Sequence, residues 1–540
     1  MGVAINAKLD TLFGEQDKAL KTLVAETAAL CPAPLNSLQV AALLEANGIT
    51  DAIARQRYGY EDVFALAEAV LAHLPRTAPR LSPDHVYRPE TRWEVIRDYL
   101  KGGLGLLPMI LLSLIFFVYQ EFGRWQISEA WTLSISMLGS LLITSGFVQA
   151  ASRKGTSYLS QGYIRAAQKI LSRIISIGLL AVAVATAALV TVMAFTGWIS
   201  ERNILIMAVA FSTLSCLWLA AGVLFLLDQV HWFALGLGIA LALSTAALHG
   251  LAAVRMHRDI ALLGSTAAGL LTFLLVTALV IRRTLHRLRE TSPVSDHEVV
   301  FPALPQMVFS LLPYFAYGVS YIVLIIAGHV TGWIGIVLYS NGQPAENIVT
   351  LEIGLTIALA GYILSGGAAE RTIRQFWRKI RLFQLQTPQY QLEIFREKMM
   401  KFYHYNLLRF TVVLVLCNSF VLICVLSVVR ILDREGLLPL RWPSEATIIL
   451  VLGLLGYSLM AYGAFNSMFM VSLSRPCYAL KATMIGILVT LIVGVVMSFS
   501  VPYYYNPVGI VVGSAWFAAV AYRYMRYMWK YADYHYYASF

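Results

Sequence analysis

Glu352 is the first residue whose type and position suggest chemistry. It lies in an apolar run, where a carboxylate binds a cation, a proton or an amino sugar unless it can reach water at the lipid surface. It falls about one turn inside the outer end of its run, so simple reach to the interface is the competing use. Asp228, His231, His249 and His329 stand near the ends of similar runs, where contact with water is expected. Ser310, Tyr314, Tyr317, Tyr321 and Gly328 fall within a narrow arc at about 100° per residue. Tyrosine joins a flat apolar ring to a hydrogen-bonding hydroxyl, which suits sugar rings with apolar faces and polar rims. Ser458, Tyr462 and Asn466 form a comparable stripe. Packing between helices is the alternative use of both stripes, since small and polar residues also join helices in lipid.

Other chemistries find no support. The sequence has no Gly-x-x-x-x-Gly-Lys-Ser/Thr loop to cradle a nucleotide phosphate. It has no Ser/His/Asp arrangement and no Cys/His cluster at metal-ligand spacing, so neither an enzyme nor a bound cofactor is expected. The five cysteines, Cys31, Cys216, Cys417, Cys424 and Cys477, form no outer-face disulfide framework. The N-terminus lacks the short basic-then-apolar pattern of a cleaved signal peptide.

These residues must be positioned by membrane helices. Of 540 residues, 58% are hydrophobic and only 13% charged, with a mean hydropathy of +0.68. A soluble chain carries about 45–50% apolar and about 25% charged residues. Soluble enzyme, disordered protein and disulfide scaffold are therefore excluded. About twelve apolar segments approach the ~20 residues that cross a bilayer. They run at 104–122, 131–151, 174–195, 204–227, 232–252, 260–281, 307–327, 348–367, 408–428, 446–472, 481–501 and 507–527.

Residues 1–100 differ. Charges occur throughout, and short apolar stretches with helical spacing are separated at Asn47-Gly48 and Tyr58-Gly59. Asp51 is placed to cap a helix N-terminus. This predicts a small cytoplasmic helical domain and a linker marked by Pro75, Pro79, Pro83 and Pro89. Connections on the N-terminal side of the membrane carry 23 Lys and Arg, against 7 on the opposite side. By the positive-inside rule both termini are cytoplasmic, in the cell inner membrane. That distribution accounts for the net charge of +11 without a nucleic-acid partner.

The spans divide into two six-helix halves, 101–290 and 291–540. Leu106-Leu107-Pro108 in the first span corresponds to Leu311-Leu312-Pro313 in the seventh. Ala150-Ala151-Ser152-Arg153-Lys154 corresponds to Ala368-Ala369-Glu370-Arg371. Pro-interrupted segments at matching positions point toward a substrate path between halves, with Pro108 and Pro313 bending its wall. Within the large basic segment 371–409, Ile373, Phe376, Trp377, Ile380 and Phe383 share one helix face, opposite Arg371, Arg374, Arg378 and Arg381. Such a helix is expected in the headgroup plane, with Arg drawn to anionic lipid. It serves either as an anchor or as a docking surface for an acidic cytoplasmic partner or a lipid-linked substrate.

This layout resembles the multidrug/oligosaccharidyl-lipid/polysaccharide exporter superfamily, and within it the exporters of the Pel exopolysaccharide. The resemblance spans residues 100–540. It is carried by Ser145-Gly146-Phe147-Val148-Gln149-Ala150, Ala464-Phe465-Asn466-Ser467-Met468-Phe469 and the ending Tyr536-Tyr537-Ala538-Ser539-Phe540. The N-terminal domain departs from the family pattern. The resemblance implies a V-shaped, MATE-like bundle whose central cavity is lined by spans one, two, seven and eight, which adds Ser145 and Gln149 to the candidate cavity residues. It further implies an exopolysaccharide or other glycan as substrate and a cytoplasmic glycosyltransferase or other polysaccharide-synthesis subunit as partner. A cation- or proton-coupled small-molecule exporter of the same fold is one alternative. A membrane scaffold that recruits polysaccharide-synthesis enzymes is another.

Overall fold

The computed structural model describes residues 18–30, 37–74 and 127–537, with breaks at 161–162, 198, 255, 257, 292–303, 340–343, 387–391 and 435–443, together with Pro34, Thr91, Val95, Ile96, Asp98 and Tyr99. The segment 104–122, expected as the first span, and Pro108 within it lie outside the described residues. Two compact units form: one from residues before 96, 371–409 and after 525, the other from 96–370 and 410–525. The second unit contains segments of both predicted halves.

In the first unit, α1 (Lys18–Leu30), α2 (Ser37–Ala46), α3 (Asp51–Ile53) and α4 (Val63–His73) form a small helical cluster. Leu20, Leu23, Val24, Val40, Leu44, Leu66 and Val70 make its core. Gly48 and Gly59, where breaks are expected, adopt left-handed φ values of 83° and 76°, which glycine tolerates without a Cβ clash. Asp51 does not act as the expected cap. Thr50 precedes that helix, and the Asp51 carboxylate instead accepts from the Val63 amide at 3.0 Å. Asp62 caps α4, accepting from the Ala65 amide at 2.7 Å. Asp62→Ala is predicted to weaken this helix by about 1 kcal/mol, seen as faster amide exchange over residues 63–73 with the membrane helices unaffected.

Eleven helices among the described residues are long and apolar enough to cross a membrane, matching expected spans two to twelve in order. This is a multi-pass, nearly all-helical membrane protein. The spanning helices are α5 (Ile127–Ser160), α6 (Ile164–Thr196), α7 (Glu201–Leu226), α8 (Val230–Ala253), α9 (Arg258–Thr291), α10 (Leu304–Tyr339), α11 (Pro344–Gln386), α12 (Leu392–Arg434), α13 (Ser444–Ser472), α14 (Pro476–Ser500) and α15 (Val508–Lys530); α16 (Ala532–Tyr537) follows. Leu180, Val184, Leu271, Leu275, Leu279, Leu416, Phe420 and Ile423 are exposed. So much exposed aliphatic surface is stable only against lipid.

In the second unit α5 packs on α6 and α7, α8 on α9, and α10 on both α5 and α14. Spans two and seven thus join the predicted halves. Pro313 sits inside α10, where its missing N–H leaves the carbonyl four residues earlier without a helical donor.

The basic segment after span eight departs from expectation. Residues 371–386 are not a separate helix in the headgroup plane; they continue α11, which has 43 residues. At 1.5 Å per residue such a helix is about 65 Å long, twice the ~30 Å hydrocarbon core, so its end lies outside the lipid interior. The apolar face packs on protein. Phe376 and Ile380 are buried, and the Phe376 ring lies 6.3 Å from Phe402 and 6.0 Å from Trp529. Arg371, expected on the exposed face, is also buried; Arg374 is half-buried and Arg378 exposed. The Arg381 side chain is outside the described residues.

Candidate functional site

One group of polar side chains in the second unit lies where α10, α11 and α13 meet. His329 and Trp333 are four residues apart on α10 and therefore share a helix face. Both reach Glu352 of α11: Trp333 Nε1 donates to Oε1 at 2.8 Å, and His329 Nδ1 lies 2.9 Å from the same oxygen. His329 Nε2 lies 3.5 Å from the Tyr457 hydroxyl of α13. His329 was expected in water near a span end, yet it is 3% exposed, and Tyr457 is fully buried. Glu352 is half-buried. Its expected alternative, interfacial hydration, gives way to two side-chain partners. Asp228, His231 and His249 are exposed at helix ends, as their positions suggest. The result is a carboxylate–imidazole–phenol chain, with an indole N–H fixing the acid.

A second cluster draws on α10, α11 and α15. The Tyr321 hydroxyl donates to the Tyr362 hydroxyl at 2.7 Å. The Tyr321 ring lies 6.1 Å from Tyr317, 6.4 Å from Tyr362 and 6.3 Å from Phe517. Sequence reading placed Tyr317 and Tyr321 together and put His329 in water, but missed Tyr362, Phe517, Trp333 and Tyr457. A signal was available for Tyr362 and His329. Helices α10 and α11 are consecutive and separated by a short connection, so residues equally distant from it lie at the same depth. Tyr321 and Tyr362 are each 18 residues from their helix ends at Tyr339 and Pro344, and His329 and Glu352 are 10 and 8 residues away.

Tyr314 does not join this cluster. Its ring lies 5.5 Å from the Arg153 guanidinium. Ser145 and Gln149 are half-buried on α5, at its seam with α10. A Cβ on Gly318 would stand 2.8 Å from the Ser145 carbonyl and 2.7 Å from Gln149 Cγ. The stripe on α13 faces span nine instead: Asn418 Nδ2 donates to Ser458 Oγ at 2.9 Å, and Tyr462 donates to Thr411 Oγ1 at 2.6 Å. Asn466 is buried and donates to the Tyr462 carbonyl at 2.9 Å. Ser458 and Tyr462 therefore hold two helices together, the packing use of such a stripe. Among the described residues no group of three or more His, Cys, Asp or Glu is arranged to hold a metal.

Neither a protein-family model nor a curated protein matches the sequence. Solved structures do match. A point mutant of a MATE transporter superposes with a TM-score of 0.61 at 14% identity, over 81% of this chain and 96% of that one. An outward-facing MATE-family multidrug resistance transporter of the MOP superfamily gives 0.55 at 12% identity, over 84% and 99%. A MOP-superfamily transporter from Pyrococcus furiosus, described as having a binding pocket of reverse polarity, gives 0.57 at 14%, over 81% and 96%. The fold is that of MATE transporters of the MOP superfamily. At these identities the likeness concerns architecture, and one architecture hosts many functions.

Proposed function

We propose that the protein is a PelG-like exporter of the inner membrane, translocating an exopolysaccharide or related glycan by alternating access, with both termini in the cytoplasm. The observation that carries this reading is the aromatic cluster of Tyr317, Tyr321, Tyr362 and Phe517, set in a transporter fold. Its rings and hydroxyls suit a sugar, which offers apolar C–H faces and a polar rim. A cytoplasmic glycosyltransferase is the partner this role calls for, and the exposed Arg378 is a candidate contact. Deleting the gene in its host is predicted to abolish secreted polymer; normal secretion would remove this reading. Tyr321→Ala should lower export about tenfold, because an aromatic contact contributes about 0.5–1.5 kcal/mol beyond its buried area. Tyr321→Phe keeps the ring, loses the bond to Tyr362, and should retain most export.

The Glu352–His329–Tyr457 chain supports a second reading, a proton-coupled exporter of small molecules. That role needs a charge relay, and the His329–Glu352 contact at 2.9 Å is what supports it. Drug sensitivity of the deletion strain with unchanged polymer secretion is the outcome that favours it.

A further inference from the structure

Arg153 stands at the end of span two, in the basic connection that the charge distribution assigns to the cytoplasm. Its Nη2 donates to Ser474 Oγ, beyond the end of α13, and its guanidinium lies 5.5 Å from the Tyr314 ring on α10. All three residues belong to the same compact unit. One side chain of the first predicted half thus holds two separate elements of the second. Both partners are neutral. Among the described residues the half-buried guanidinium meets a hydroxyl and a ring, a hold firm enough to close a seam and light enough to release, since neither partner is a carboxylate that its departure would leave unpaired.

Ser474 supports this assignment. It adopts a left-handed φ of 59°, a conformation that is unfavourable for a residue with a Cβ and easy for glycine. The turn keeps serine, which alone of the two can meet Arg153. Just inside the clasp the seam is tight. Phe147 and Phe315 meet edge to face at 5.1 Å, and Ala150 and Ala151 are buried in one cluster with Met307 and Leu311.

We infer that Arg153, Ser474 and Tyr314 form a releasable clasp closing the cytoplasmic side of the passage between the halves. The inference rests on the alternating-access reading above, but its test reads access rather than export, so the two can fail separately. In a full-length chain with its five native cysteines replaced, a single reporter is placed by Gln149→Cys. Its reaction with a membrane-impermeant maleimide is followed in inside-out vesicles. Arg153→Ala should raise the labelling rate about tenfold, since a charge-assisted hydrogen bond is roughly twice as strong as a neutral one. Ser474→Gly is the decisive variant: it relieves backbone strain, so the protein should melt no lower, yet labelling should rise. Tyr314→Phe keeps the ring and should leave labelling unchanged. Unaltered labelling in both Arg153→Ala and Ser474→Gly would overturn the clasp. Faster labelling accompanied by a lower melting temperature in Ser474→Gly would also overturn it, because general loosening would then explain the access.

Discussion

Glu352→Gln is predicted to reduce export at least about tenfold while leaving insertion and thermal stability close to those of the native protein. Glutamine keeps the size of the side chain and an oxygen that can still accept from Trp333 Nε1, now at 2.8 Å. What disappears is the carboxyl group facing His329 Nδ1 at 2.9 Å, and with it an acid that could hold a proton or cation. Conformational change follows only from a ligand that interacts differently with the two states. On the proposed reading in which a proton or cation drives transport, removing the acid removes that difference. Glu352→Ala should behave differently, losing export and also destabilising the fold by about 1–3 kcal/mol, because an indole N–H and an imidazole lose their buried partner. Native export in Glu352→Gln would take the acid out of the mechanism and leave it a structural group.

Gly509→Val is expected to give the largest loss of stability. Helices α14 and α15 approach with backbone against backbone. A Cβ at Gly509 would lie 2.8 Å from the Gly494 Cα, 3.0 Å from its nitrogen and 3.2 Å from the Thr490 carbonyl. No flexible side chain is there to move aside, so the helices must separate along their length. One turn on, a Cβ at Gly513 would lie 2.8 Å from the Gly486 carbonyl. Small residues spaced by four allow this approach in lipid, where packing replaces the hydrophobic drive that joins helices in water. The loss should be about 3 kcal/mol or more, at the upper end of overpacking effects, and should appear as a lowered melting temperature in detergent. Gly250→Ala is the control: a Cβ there meets nothing within 4 Å, and alanine favours helix by about 1 kcal/mol. Equal melting temperatures for Gly509→Val and Gly250→Ala would refute this account of the α14–α15 contact.

The spans were legible because lipid imposes one rule, a long apolar run, and residues 131–527 obey it repeatedly. The Gly509-x-x-x-Gly513 spacing was equally present in the sequence, though its partner helix was not. The segment 371–386 misled for a physical reason. An apolar face opposite a basic one satisfies a headgroup layer and a protein neighbour alike, and only the burial of Phe376 and Ile380 separates the two. Within the site, periodicity along α10 could join Tyr317 to Tyr321 but could not say which helix would face them. Tyr362 and Glu352 become partners of Tyr321 and His329 through the reversal between α10 and α11, so the information lay in distance from a turn. Tyr457 and Phe517 come from helices far along the chain, and no local pattern announces them. Conversely, Ser458 and Tyr462 carried the same polar periodicity as the tyrosine face and yet bond to Asn418 and Thr411.

Transport in inside-out membrane vesicles tests the central claim most directly. The probe is a fluorescent oligosaccharide prepared from the polymer that the host secretes, added outside vesicles with and without the protein. The expected result is accumulation in the lumen that requires the protein and is strongly reduced by Tyr321→Ala. Equal accumulation in vesicles lacking the protein, or none in either, would contradict the assignment of this chain as a glycan exporter.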